Sequence, residues 1–236
     1  MNDVRKFVRR FLARRRARAN AARLKAAHVG EHTLIAASVQ VYGWSAVRIG
    51  ANSMICDDTL INALNFPSDQ PVVIIGSHCF IGRRNFFTAG PDLRLGDYTL
   101  TGPDCHFLGA QHDYESPFVP YAVAACTGES ISLGVNCWLG ARVTVLKGVR
   151  IGHGSIIGAG SLVTHAIPPF SIAVGIPAQV IKRFEARQKR WVNASDFPAD
   201  GDAHLPEEAD YLATLRLSHP APRLPADGLG LERGDF

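Results

Sequence analysis

The sequence predicts a β-solenoid, a column of very short strands and tight turns stacked unit on unit. Three observations carry that prediction. Leu133, Leu139, Val145, Ile151, Ile157 and Val163 recur every six positions. Glycine follows four of them, as Gly134, Gly140, Gly152 and Gly158. A period of six fits neither the 3.6 of a helix nor the 2 of a flat strand, but it suits one inward aliphatic residue per short strand and turn.

The units can be followed along the chain. Residues 3–27 precede the rhythm and read as a helix, with Val4, Phe7, Val8 and Phe11 in an apolar stripe and alanine in the later turns. Val29, Ile35 and Val41 are in step, and Ile49, Ile55 and Ile61 resume after a two-residue slip at 44–48 that predicts a wider corner. A turn-rich bulge at 65–71 interrupts the rhythm. It returns at Ile75, Ile81 and Phe87, shifts at Gly90-Pro91, and continues through Leu95, Thr101 and Phe107. Thr101 is a polar intruder, expected at an edge. Residues 109–130 break the pattern as a long loop, and such loops on regular scaffolds carry function more often than not. Pro168, Pro169 and Pro177 end the solenoid. Residues 182–192 then read as a short helix capping the open end. Residues 206–217 read as a second helix, with Pro206 in its first turn and Glu207 and Glu208 at its positive end. The remainder of 194–236 is expected to be irregular and to lie on a neighbouring subunit. The chain thus divides into a basic helix (1–28), the solenoid (29–181) and a C-terminal extension (182–236).

Bulk properties narrow the function classes. The 236 residues suffice for a large core, and the 22 glycines and 14 prolines suit a turn-rich column. No apolar run predicts a membrane span, and 1–25 lacks the uninterrupted apolar core and cleavage site of a secretory signal. Cys56, Cys79, Cys105, Cys126 and Cys137 show no C-x-x-C spacing, so zinc is not suggested. Cys79, Cys105 and Cys137 share the fifth position of their units with Val143, Val149, Ser155 and Ser161, the pattern of small buried side chains. Unpaired thiols point to a reducing cytoplasm. The net charge of +4 is uneven: residues 1–27 carry ten Lys or Arg against Asp3 alone, +9, so the remainder carries −5. The basic helix suits either anionic lipid at the inner face of a membrane or docking on its own oligomer. Without an interleaved aromatic platform, nucleic acid is not an expected partner.

The units LGVNCW, LGARVT and IGHGSIIGAGSLVT, closed by IPPFSIAVGIPAQVIKRF, resemble the hexapeptide-repeat acyltransferases. The nearest in style are maltose and galactoside acetyltransferases and the O-acetyltransferases of O-antigen or capsule sugars. The likeness is strong over 72–183 and loose over 29–64. It implies a left-handed parallel β-helix, a homotrimer with active sites between adjacent columns, and acetyl-CoA as donor.

The resemblance also implies roles for particular residues. His112, where the repeats give way to the loop, matches the family's general base. An imidazole with a pKa near 6.5 accepts a proton near neutral pH, and a sugar hydroxyl needs that help to attack a thioester. Glu129 is the first candidate to hold the ring's other nitrogen, with Asp113 and Glu115 as alternatives. Ala141 matches the position whose backbone N–H receives the oxyanion. Ala159, Gly160 and Thr164 match positions whose backbone meets the pantetheine arm. Trp138 should point outward and make contact there. Lys182 and Arg183 either meet the coenzyme's phosphates or begin a basic helix. Asn85 either binds the acceptor sugar or serves as a turn residue, and Asp113 and Tyr114 would join it at the acceptor. Direct transfer is expected, with Cys126 in the same loop to be excluded as a covalent intermediate.

The leading expectation is an O-acetyltransferase acting on a sugar or glycan hydroxyl. The alternative is an N-acetyltransferase acting on a nucleotide-linked amino sugar, although residues 1–28 hold no nucleotide-binding domain. A γ-carbonic-anhydrase-like protein would need a histidine pair with four residues between, whereas His106 and His112 have five. A trimeric scaffold without activity would have no base in the loop.

Overall fold

A computed structural model describes residues 28–64 and 72–220. The six-residue units wind into a three-sided parallel β-helix. The first face stacks His28–Val29, Val47–Ile49, Val73–Ile75, Leu93–Leu95, Ile131–Leu133 and Arg150–Ile151, all parallel. The second stacks Leu34–Ile35, Met54–Ile55, Phe80–Ile81, Leu100–Thr101, Trp138–Leu139, Ile156–Ile157 and Ser171–Gly175. The third runs from Gln40–Tyr42 through Leu60–Asn62, Phe86–Thr88, His106–Leu108 and Thr144–Leu146 to Leu162–Val163.

The register explains the period. Each face holds one inward residue per coil, directly above its counterpart. On the first face Val29, Ile49, Ile75, Leu95, Leu133 and Ile151 are successive partners. On the third, Val41, Ile61, Phe87, Phe107, Val145 and Val163 are. From Ile49 onward these side chains are 2% exposed or less. Phe87 and Phe107 stack with ring centroids 4.6 Å apart. The slip at 44–48 is a 3-10 turn, Trp44–Ala46, at a corner.

Thr101 is not at an edge. It lies in the second face's inward row between Ile81 and Leu139 and is fully buried. Its Oγ1 accepts the Gly82 N–H at 3.0 Å, which removes the penalty of burying a hydroxyl. The small fifth positions are buried as expected. Desolvation pushes the Cys79 and Cys137 thiols up to about 12 and Cys105 to about 11. The corners turn at the fourth position of each unit. Asn52, Asp58, His78, Tyr98, Asp104, Asn136 and Arg142 all sit there with φ between 54° and 62°. A left-handed backbone is costly for a residue with a Cβ, so the stacked hydrogen bonds of the coils must hold each corner.

The C-terminal extension differs from expectation in its first segment. Residues 182–192 are not a helix. Ala178–Glu185 pairs antiparallel with Ser171–Gly175, and Arg190–Asn193 pairs with it in turn, so a hairpin widens the second face. Glu185 closes the turn, accepting the Arg187 and Gln188 backbone N–H groups. The expected second helix is present as α1, Glu208–Ser218. It lies on its own column: Glu208 Oε1 accepts the Val135 N–H at 2.6 Å, and Arg216 pairs with Asp97 at 2.9 Å. These contacts run along the corner between the first and second faces. Residues 1–27, with the basic stripe, lie outside the described residues.

Candidate functional site

The long loop leaves the column at the corner between the third and first faces. Its root is a two-stranded antiparallel ribbon, Ala110–His112 against Cys126–Gly128. Gly90, one coil below, makes room for that root. A Cβ there would sit 2.5 Å from the Glu129 carbonyl oxygen and 2.6 Å from that of Gly109, so only glycine fits.

His112 stands at the outer end of the ribbon, exposed, opposite Cys126. Its Nδ1 lies 3.3 Å from the Ala124 carbonyl oxygen. A carbonyl only accepts, so this contact favours the proton on Nδ1 and leaves the Nε2 lone pair outward. The group that holds the ring is therefore a backbone carbonyl. Glu129 does not serve the ring: its carboxylate pairs with Lys147, whose pKa that hydrogen bond raises. Asp113 is also engaged locally, accepting the Glu115 N–H at 2.9 Å while its own N–H donates to Ala125. Tyr114 is 62% exposed beyond it. Nothing in the sequence distinguishes Ala124, because a carbonyl acceptor leaves no residue signature.

Ala141 lies at a different corner, between the second and third faces. Its carbonyl accepts the Gly160 N–H at 2.8 Å, while its own N–H has no acceptor among the described residues. Ala159 stacks one coil above, close enough that a Cβ on Gly140 would meet its nitrogen at 2.6 Å. Ala159 and Gly160 are exposed, and a Cβ on Gly160 would meet nothing within 4 Å. These three residues thus form an open vertical edge with a free N–H. Trp138 points outward from the second face beside this edge and is 51% exposed. Thr164 is at the far side of the third face, its hydroxyl 2.8 Å from His165 Nδ1.

Two expected binding residues are structural ties instead. Asn85 is 1% exposed and donates to the Gly82 and Gly102 carbonyls at 2.6 and 3.0 Å, joining two coils inside the column. Arg183 is 8% exposed. Its guanidinium pairs with Asp202 and lies 4.3 Å from the Phe197 ring centroid, so it anchors the C-terminal segment rather than facing a phosphate. Its neighbour Lys182 points to the opposite side of the strand and is exposed.

The geometry of one chain does not bring His112 and Ala141 together. His112 and Ala141 occupy the two edges that bound the third face. About six residues separate those edges, a reach of up to about 20 Å. Among the described residues, no group of three or more His, Cys, Asp or Glu has the arrangement to hold a metal ion.

Comparison with known proteins agrees with the fold. Residues 130–165 match the family described as bacterial transferase hexapeptide (six repeats). A probable acetyltransferase of Mycobacterium tuberculosis is 33% identical over 116 residues, which are 49% of this chain and 38% of that protein. A putative acetyltransferase of Staphylococcus aureus strain Mu50 is 38% identical over 123 residues, 48% of this chain and 56% of that protein. The match therefore spans only about half the length of these relatives, or less. Among solved structures, the N-acyltransferase AntD from Bacillus cereus, in complex with dTDP-4-amino-4,6-dideoxyglucose and coenzyme A, superposes with a TM-score of 0.59. The superposition covers 70% of this chain and 88% of that one at 21% identity, a likeness of fold. Taken with the register of its coils and the closing turn after the last one, these matches make the column similar to those of the bacterial hexapeptide-repeat transferases.

Proposed function

We propose that the protein is an acetyl-CoA-dependent O-acetyltransferase whose acceptor is a sugar or glycan hydroxyl, and that it works as a homotrimer. The observation that carries this reading is a pair of unspent groups at two edges of the column: the outward Nε2 of His112 and the N–H of Ala141. In a ring of three columns, the His112 edge of one copy faces the Ala141 edge of the next. The relatives' assignment as acetyltransferases supports the reaction class.

The chemistry follows from those groups. His112 Nε2 takes the proton of the acceptor hydroxyl as its oxygen attacks the thioester carbon. The carbonyl oxygen becomes an oxyanion, and the Ala141 N–H of the adjacent copy donates to it. Collapse breaks the carbon–sulfur bond, and the imidazolium returns its proton to the departing thiolate. The Ala124 carbonyl supports that imidazolium through Nδ1. The edge formed by Ala159 and Gly160 suits the pantetheine arm, because small side chains allow close approach to backbone groups. Lys182, exposed on the strand that follows the last coil, is the proposed contact for the coenzyme's phosphates.

Release of free thiol from acetyl-CoA, measured with panels of neutral sugars and nucleotide-linked amino sugars, tests the reading. Turnover with hydroxyl acceptors supports it; turnover confined to amines would replace it with an N-acyltransferase. We also propose that residues 1–27 bring the enzyme to anionic membranes, which flotation with phosphatidylglycerol vesicles, with and without that segment, decides.

A further inference from the structure

One cavity is not used by this mechanism. A cleft of about 450 Å³ lies on the second face, between the column, the terminal hairpin and α1. Trp138 and Ile156 line it from the column, Phe184 and Trp191 from the hairpin, and Tyr211 from α1. Trp191 is braced edge-on by Phe184, with centroids 5.5 Å apart. Tyr211 packs across Phe170 at 4.9 Å, which fixes the opposite side.

The polar groups in this cleft are few and uncharged. Asn136 Nδ2 donates to the Tyr211 hydroxyl at 2.5 Å. That leaves the Tyr211 O–H as a donor and the Asn136 Oδ1 as an acceptor, side by side. Neither indole N–H has an acceptor among the described residues. None of the cleft's lining residues carries a charge: no carboxylate to receive an ammonium group, and no Lys or Arg to receive a diphosphate.

We infer that this cleft is a binding subsite for a neutral pyranose of the acceptor glycan. A pyranose has one apolar C–H face and a rim of hydroxyls. The face packs on an aromatic ring, and the hydroxyls serve donors and acceptors alike, which matches Trp191 and Trp138 with Tyr211 and Asn136. The place in the fold fits an acceptor. Trp138 precedes Ala141 by three residues, so the cleft opens within about 11 Å along the chain of the oxyanion donor. A sugar held here leaves the next residue of the chain at the reacting edge. The inference rests on the glycan-acetyltransferase reading above and narrows it to neutral oligosaccharides.

The test uses full-length protein, with Trp191→Ala and Tyr211→Phe variants checked for native melting. Binding to an array of neutral oligosaccharides and nucleotide-sugar conjugates is read beside acetyl-CoA affinity by calorimetry. Wild type should bind at least one neutral oligosaccharide. Trp191→Ala should weaken that binding about tenfold or more, and Tyr211→Phe about three- to tenfold, for a lost stacking surface and a lost hydrogen bond respectively. Acetyl-CoA affinity should not move. Absence of neutral glycan binding, binding of nucleotide conjugates alone, or wild-type glycan affinity in Trp191→Ala overturns the subsite. Loss of acetyl-CoA binding in wild type would instead overturn the transferase reading, so the two failures are distinct.

Discussion

Replacing Ala141 with proline removes one hydrogen-bond donor and little else. The structure supplies the control for this change. Pro103 already occupies the same corner one coil below, since Thr101 and Leu139 are register partners and both corners are two residues on. The carbonyls at the two positions act alike, Pro103 accepting the Arg142 N–H at 2.9 Å and Ala141 the Gly160 N–H at 2.8 Å. No hydrogen bond among the described residues is lost, because the Ala141 N–H makes none. The folded state should change by less than about 1 kcal/mol in either direction. Catalysis should change far more: a lost oxyanion donor costs about 2.7–4 kcal/mol of transition-state stabilisation, or about 10²–10³ in kcat. Thiol release from acetyl-CoA, beside a thermal melt, separates the two effects. A kcat within threefold of wild type, in a protein that melts normally, would refute the assignment of the oxyanion donor.

Other outcomes follow from the same geometry. His112→Ala should lower kcat by about 10²–10⁴ with little change in stability, since the ring is exposed and holds one contact; a variant with full turnover would remove the base. Glu129→Gln breaks the pair with Lys147 but leaves the Ala124 contact, so it should reduce kcat much less than His112→Ala; equal losses would restore Glu129 as the orienting group. Iodoacetamide at pH 8 should label Cys126 and spare Cys56, Cys79, Cys105 and Cys137 until the protein unfolds. Burial holds those four thiols protonated to about 11–12, and peptide mapping reads the result. Phe87→Ala should cost about 3–5 kcal/mol by opening a void against Phe107, seen as a lower denaturation midpoint.

Much of the column was legible because its signal is both local and repeated. Every coil must put an aliphatic residue at the same place on each face, so the register partners could be read as a column of letters. Thr101 was legible as an exception but not as a solution. The compensating hydrogen bond it accepts comes from Gly82 in the preceding coil and has no trace in the local sequence. The segment 182–192 was misread because Lys, Arg, Glu, Ala and Gln favour helix on propensity. The open edge of the second face, which needs backbone partners, outweighed that preference. Arg183 illustrates a limit for binding residues: its charge is visible in sequence, while its burial against Phe197 and Asp202 depends on where the C-terminal segment returns. The aromatic cleft was hidden for the same reason, since Trp138 and Tyr211 are distant in sequence and meet only when α1 lies back on the column.

The claim that base and oxyanion donor come from different copies is tested most directly by mixing two inactive proteins. His112→Ala and Ala141→Pro subunits are unfolded together in equal amounts and refolded into random oligomers. If each site takes His112 from one copy and Ala141 from its neighbour, one site in each mixed trimer regains both groups, about a quarter of all sites, and about a quarter of wild-type thiol release returns. If both groups act within one chain, the mixture stays as inactive as its components.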